Sequence, residues 1–258
     1  MAPLAFITGA SSGIGQALAW RYYQAGYALA LVARRTNEMQ AWVQAQTIDP
    51  LRYRLYGADV ADIESIVGAA QQCLHTQGVP DVVIANAGIS IGMDTRIRSD
   101  LDVMARTFAV NNVGLAATFH AFVEPMVARG SGRLVGIASV AGIRGIPGHG
   151  AYCASKAGVI SYCESLRGEL RGTGVGVVTI GPGYIDTPLT QKNRYRMPFL
   201  MSPQDFAERA YSAIDANVSY RVIPWQMGWL AKGLRMLPNA LFDRVLAGRP
   251  RKRRADGS

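Results

Sequence analysis

Seven short apolar runs rich in β-branched residues alternate with amphipathic stretches along the chain, and this alternation restricts the fold more than any other feature. The runs cover 4–8, 28–33, 53–58, 81–86, 133–139, 175–181 and 220–223. Each is almost continuously hydrophobic, as expected of strands buried on both faces of a parallel sheet. Helical windows lie between them, near 14–25, 36–46, 62–76, 100–129, 153–171 and 203–217. In the window 153–171, Val159, Cys163, Leu166 and Leu170 recur at three- and four-residue steps and form one apolar stripe. Repeated βαβ units cross over in the right-handed sense and cover both sheet faces. The expected fold is therefore a single doubly wound, Rossmann-like α/β sheet whose ligands sit beyond the carboxyl ends of the strands. No linker interrupts the pattern, so one domain is expected over 1–224, with an appended segment over 225–258.

Composition excludes several alternatives. With 49% apolar and 17% charged residues in 258, the chain can fill a globular core. Cys73, Cys153 and Cys163 are odd in number and scattered, and His75, His120 and His149 lie far apart. Neither set has metal-ligand spacing, so no metal is expected and a reducing, cytoplasmic compartment fits. The first strand begins too early to leave room for a signal peptide, and no run of about 18 apolar residues is present to span a bilayer. The net charge of +9 owes five positive charges to Arg249, Arg251, Lys252, Arg253 and Arg254. These form a tail rather than a groove-reading module, so nucleic acid is not an expected partner.

Directly after the first strand comes Thr8-Gly9-Ala10-Ser11-Ser12-Gly13-Ile14-Gly15. Glycines at a strand–helix turn let the backbone bend sharply and let a pyrophosphate approach the free N–H groups of the helix. The second strand ends in Arg34-Arg35, where an NAD site usually has an acidic residue for the ribose 2′-hydroxyl. A guanidinium there holds a 2′-phosphate through paired, charge-assisted hydrogen bonds. The expected cofactor is NADP(H).

Further along stand Asn86-Ala87-Gly88, Ser139, Tyr152-Cys153-Ala154-Ser155-Lys156 and Pro182-Gly183. With the glycine turn, these motifs in this order resemble the short-chain dehydrogenase/reductase family over about residues 4–224. Tyr152 and Lys156, four residues apart, share one helix face. A free tyrosine has a pKa of about 10, and a nearby ammonium, helped by the positive charge of the nicotinamide, favours the phenolate and lowers that value. Such a tyrosine exchanges a proton with a carbonyl or alcohol oxygen. Ser139 would hold the same oxygen. The family's NxxG pattern fits Asn111 through Gly114, so the resemblance implies that Asn111 holds a water in a proton relay to Lys156, with Asn112 the alternative. It further implies that Asp59 and Val60 lie beside the adenine, that Gly88 lets the cofactor approach, and that Ile185 and Thr187 contact the nicotinamide carboxamide. Lys156 would also reach the nicotinamide ribose.

The expected activity is reduction of a ketone or aldehyde, or oxidation of a secondary alcohol, on a small hydrophobic molecule. A 3-oxoacyl carrier-protein reductase and a catalytically silent NADP-binding regulator are the alternatives. The segment after Thr187 reads as a mobile lid, with Met197, Phe199, Leu200 and Met201 hinting at an apolar substrate; His149 reads as a turn histidine. Beyond residue 224, two short amphipathic helices separated by Pro238 lead into the basic tail. Three roles are open to them: packing on the core or a second subunit, covering the substrate entrance, or peripheral contact with a membrane surface. The resemblance implies a homodimer or homotetramer formed through the helices near 100–129 and 153–171.

Overall fold

The computed structural model describes residues 2–191, 193, 196–248, 252 and 254. Seven strands, β1 (Leu4–Thr8), β2 (Ala28–Ala33), β3 (Tyr53–Gly57), β4 (Val82–Ala85), β5 (Gly132–Ile137), β6 (Val175–Pro182) and β7 (Tyr220–Ile223), form one sheet in the order β3-β2-β1-β4-β5-β6-β7. Every pairing is parallel. The chain runs outward from β1 to β3, then restarts on the other side of β1 with β4. The crevice between the carboxyl ends of β1 and β4 is thus the topological switch point at which this architecture binds ligands.

Helices cover both faces. α1 (Gly13–Gln24), α2 (Thr36–Ala45) and α7 (Pro203–Asp215) bury Leu18, Tyr22, Met39, Val43, Phe206 and Ile214 on one side. On the other, α3 (Ile63–Thr76), α5 (Gly114–Arg129) and α6 (Gly150–Glu169) bury Ile66, Phe119, Phe122, Met126, Val159 and Cys163. Local signals set the ends. Asp62 caps α3 by accepting from the N–H groups of Glu64 and Ser65, and Ser202 caps α7 ahead of Pro203. Gly130, at φ 72°, ends α5 in the left-handed conformation.

The single helix expected over 100–129 is corrected to α4 (Asp100–Phe108), a wide π-helical turn at Ala109–Val113, and α5. Gly114, directly after the wide turn, lets the helix pass close to Val60: a Cβ there would stand 2.3 Å from the Val60 carbonyl oxygen. The extra residue in the turn sets Asn111 inward, as such bulges often do at functional sites.

The appended segment forms α8 (Trp225–Met236) and α9 (Asn239–Leu246), broken at Pro238. Met227, Gly228 and Ala231 are buried, with Gly228 against Val222 of β7, while Trp225 and Trp229 are 61% and 69% exposed. Among the described residues, no helix is long and apolar enough to cross a membrane.

Candidate active site

A cleft with a volume of about 260 Å³ opens at the carboxyl ends of the strands, along the switch point. Thr8 prepares it from below. Its hydroxyl accepts from the N–H groups of Asn86 and Ala87, at 3.1 Å each, tying the end of β4 to that of β1. The Asn86 amide donates to the Thr8 carbonyl at 3.0 Å, so Asn86 braces the cleft as well as lining it. Gly9 and Gly13 take positive φ angles of 68° and 55°. The turn between them brings Ser11, Ser12, Gly13 and Ile14 to the wall. The side chain of Ser12 does not cap α1, and the first turn has no acidic residue. The unpaired N–H groups of this helix end are therefore free for an anion.

Arg34 and Arg35 stand at the far end of the cleft, after β2. Arg35 donates to the Ser11 hydroxyl at 3.1 Å and pairs with Glu38 at 2.8 Å. Arg34 lies 3.5 Å from Asp59, and both side chains are well exposed. Pairs of this kind are held loosely, so Arg34 can turn toward a stronger anion. Asp59 and Val60 line the same end, Ala87 and Gly88 the centre, and Pro182, Gly183, Ile185 and Thr187 the opposite wall. The floor is shaped for close approach. A Cβ on Gly88 would meet the Asn111 Oδ1 at 3.3 Å and the Lys156 Nζ at 3.4 Å.

Ser139, Tyr152 and Lys156 converge at the other end of the cleft. Ser139 lies two residues past β5, where its hydroxyl accepts from the Ala141 N–H at 3.1 Å and stands near enough to the Tyr152 phenol to favour its charged form. The Lys156 Nζ is buried, donates to the Ile137 carbonyl at 2.7 Å, and lies 5.9 Å from the centroid of the Tyr152 ring. Burial lowers the Lys156 pKa to about 8, against an opposing pull from Cys163. Without a cofactor, burial pushes the Tyr152 pKa up, and the neighbouring Ser139 side chain offsets this only in part.

Two of the residues picked from the sequence stand outside the lining. Gly15 lies just behind it, where a Cβ would come within 2.2 Å of the Gly9 carbonyl oxygen. Asn111 lies behind Gly88, where it accepts from the Ile89 N–H at 2.9 Å and donates to the Ile89 carbonyl and the Ser155 hydroxyl. The alternative, Asn112, donates to the Ser155 carbonyl and packs against Gly158, away from the lysine ammonium. His149 is buried just before α6 and outside the lining, and burial holds its pKa down.

The segment after Thr187 contributes Pro188, Leu189 and Thr190 to the wall. Its base is closed by Met201, whose N–H and carbonyl bond Tyr184 and Asp186. Phe199 and Leu200 are half exposed. Lys192, Arg194 and Tyr195 of the expected lid, and Arg249, Arg251 and Arg253 of the tail, lie outside the described residues. Sequence reasoning missed Arg106, which lines the cleft from α4 one turn before Val110. No motif marks it.

Comparison with known proteins agrees with this geometry. The family model described as short chain dehydrogenase matches residues 3–197. An uncharacterized oxidoreductase of Myxococcus xanthus is 39% identical over 93% of this chain and 94% of its own length. A dehydrogenase/reductase SDR family protein 7-like of Anopheles gambiae is 38% identical over 71% of this chain, which spans 59% of that longer protein. Among solved structures, an alcohol dehydrogenase from Thermococcus sibiricus complexed with 5-hydroxy-NADP superposes with a TM-score of 0.75 at 27% identity, covering 86% of this chain and 95% of that one.

Proposed function

Because the chain belongs to the short-chain dehydrogenase/reductase family, we propose that it is an NADP(H)-dependent enzyme that reduces a ketone or aldehyde, or oxidises the matching secondary alcohol, on a hydrophobic molecule. One observation carries the reading: a single cleft has paired arginines at one end and a serine–tyrosine–lysine group at the other.

The lining suits the cofactor. The turn at Ser11–Ile14 would hold the pyrophosphate, Arg34 and Arg35 with Ser11 the 2′-phosphate, Asp59 and Val60 the adenine, and Ile185 and Thr187 the carboxamide. Gly9, Gly88 and Gly183 let the lining pack closely on the groups behind it, since a Cβ there would press on Ala87, on Asn111 and Lys156, and on Met227. When bound, a nicotinamide dinucleotide supplies or accepts the hydride.

The protein's own groups handle the proton and the developing charge. The raised pKa keeps Tyr152 a neutral phenol at pH 7, the form able to donate to a carbonyl oxygen during reduction. Ser139 donates to the same oxygen and holds the charge that develops there. Lys156, with a pKa of about 8, is mostly protonated at pH 7, and its charge favours the phenolate left behind. We assign to Asn111, beside that ammonium, the water-mediated path by which the lysine exchanges protons with solvent.

The test is an NADPH-oxidation screen against steroids, retinoids, acyl thioesters and simple ketones, run with wild type and Tyr152→Phe. Turnover should fall by about a thousandfold or more in the variant with NADPH affinity unchanged. Retained turnover would falsify the mechanism. Activity confined to acyl thioesters would instead identify a carrier-protein reductase, and NADPH binding without turnover on any carbonyl a silent regulator.

A further inference from the structure

The C-terminal extension is fastened to the rest of the fold at two places, and each adjoins a segment that carries a residue of the serine–tyrosine–lysine group. Arg144, five residues beyond Ser139, makes the first. Its guanidinium donates to the carbonyls of Leu234 and Leu237 and, at 3.1 Å, to the Asn239 side chain. It also lies 3.7 Å from the ring centroid of Phe242. One side chain thus satisfies the carbonyls at the end of α8 and stacks on the buried face of α9.

The second fastening is Arg254, eight residues beyond Leu246. Its Nε and Nη2 donate to the two carboxylate oxygens of Asp100 at 2.8 and 2.9 Å. The Asp100 side chain is only 4% exposed, and it also accepts from the Asp94 N–H at 2.7 Å. An exposed ion pair would carry little weight. Here the guanidinium binds both carboxylate oxygens as a fork and covers the carboxylate, which sets the pair apart from a loose surface contact.

Both fastenings adjoin segments that lead to Tyr152 and Ser139. The loop before Asp100 includes Met93, whose N–H bonds the Gly148 carbonyl at 3.1 Å and whose sulfur accepts from the Ala151 N–H. Met93 packs with Val103 and Ala151, and Ala151 directly precedes Tyr152. Lys252 lies near enough to His149, in that same stretch, to disfavour its charged form.

We infer that α8 and α9 form a strap that fixes the substrate wall of the cleft, with Asp100 and Arg144 as positioning residues and the Arg254–Asp100 pair as its latch. It braces the loop 89–100 and the stretch 143–151, which flank Tyr152 and Ser139. The kinetic consequence rests on the oxidoreductase reading above, whereas the latch itself does not.

The experiment uses the full chain and the variants Arg254→Ala, Arg254→Lys, Asp100→Asn and the double variant Arg254→Ala/Asp100→Asn. Amide hydrogen exchange of α9 is followed first. Arg254→Ala and Asp100→Asn should each exchange the amides of α9 about tenfold faster than wild type, as expected when a latched segment opens locally. Equal rates would overturn the latch whether or not any carbonyl is turned over. With the best ketone from the NADPH-oxidation screen, each single variant should raise KM about tenfold and leave the NADPH Kd within about twofold, and the double variant should add nothing further. Arg254→Lys, which keeps the charge but not the fork, should fall between wild type and Arg254→Ala. An unchanged KM, parallel losses in NADPH affinity, or additive effects of the two substitutions would overturn the positioning role.

Discussion

Replacing Lys156 by methionine should stabilise the cofactor-free protein at neutral pH while abolishing its turnover. The lysine pKa falls from 10.5 to about 8 on folding because the side chain is buried. At about 1.4 kcal/mol per pH unit, that gap costs the folded state roughly 3 kcal/mol when the group is charged in both states. A depressed lysine pKa means that the unfolded chain binds more protons. The cost is therefore present in full below about pH 8, shrinks as the pH rises toward 10.5, and vanishes above it. Methionine, similar in length and uncharged, removes the cost but also the 2.7 Å hydrogen bond to the Ile137 carbonyl, which offsets about 1 kcal/mol of the gain. The variant should gain about 2 kcal/mol at pH 7, and most of that gain should be lost by pH 10. Urea unfolding at fixed protein concentration, wild type beside variant, isolates this term because other titrating groups cancel in the difference. A stability difference that does not fall between pH 7 and pH 10 would refute the argument, since it would mean that the buried ammonium is not the source of the cost.

Arg34→Asp should reverse the cofactor preference, moving the ratio of kcat/KM for NADPH over NADH by about a hundredfold or more, because a carboxylate repels the 2′-phosphate; steady-state kinetics with both cofactors would show it. Gly114→Ala, whose Cβ would press to 2.3 Å on the Val60 backbone, should destabilise the protein by about 2–3 kcal/mol and weaken NADPH binding. Denaturant titration and cofactor fluorescence would measure the two effects. Arg144→Ala removes hydrogen bonds to Leu234, Leu237 and Asn239 together with the stack on Phe242, and should cost about 2–4 kcal/mol and free α8 and α9 to exchange their amide hydrogens faster.

The cofactor half of the site was legible because its parts are local in sequence. Gly9 to Ile14 form one turn, Arg34 and Arg35 follow one strand, and Tyr152 and Lys156 share one helix turn. A period of two or of 3.6 residues is enough to place such groups at strand ends. The details that escaped depend on contacts between segments. The helix over 100–129 looks continuous by periodicity, and the wide turn at Asn111 and the close pass of Gly114 by Val60 show only in three dimensions. Gly15 reads as a phosphate-loop glycine, yet the space it leaves is taken by the Gly9 carbonyl. The burial of the Tyr152 phenol also escaped, because spacing shows that a lysine is near but not how deeply the fold encloses the pair.

The same distinction explains why the substrate end is harder to read. Asp100 and Arg254 are 154 residues apart, and Arg144 lies 93 residues from Leu237. Neither pairing leaves a mark that periodicity or a short motif can register, and each partner alone looks like an ordinary surface charge. The proposed cofactor contacts sit on a turn that the fold requires in any case, so their chemistry constrains adjacent residues. On the strap proposal, the substrate wall draws on a loop before α4, a stretch before α6 and the C-terminal strap, so it is free to vary without disturbing the sheet. Specificity in this chain should therefore follow the fit between these three segments, and changes at Asp100, Arg144 or Arg254 should alter which carbonyl is accepted before they alter how the proton is transferred.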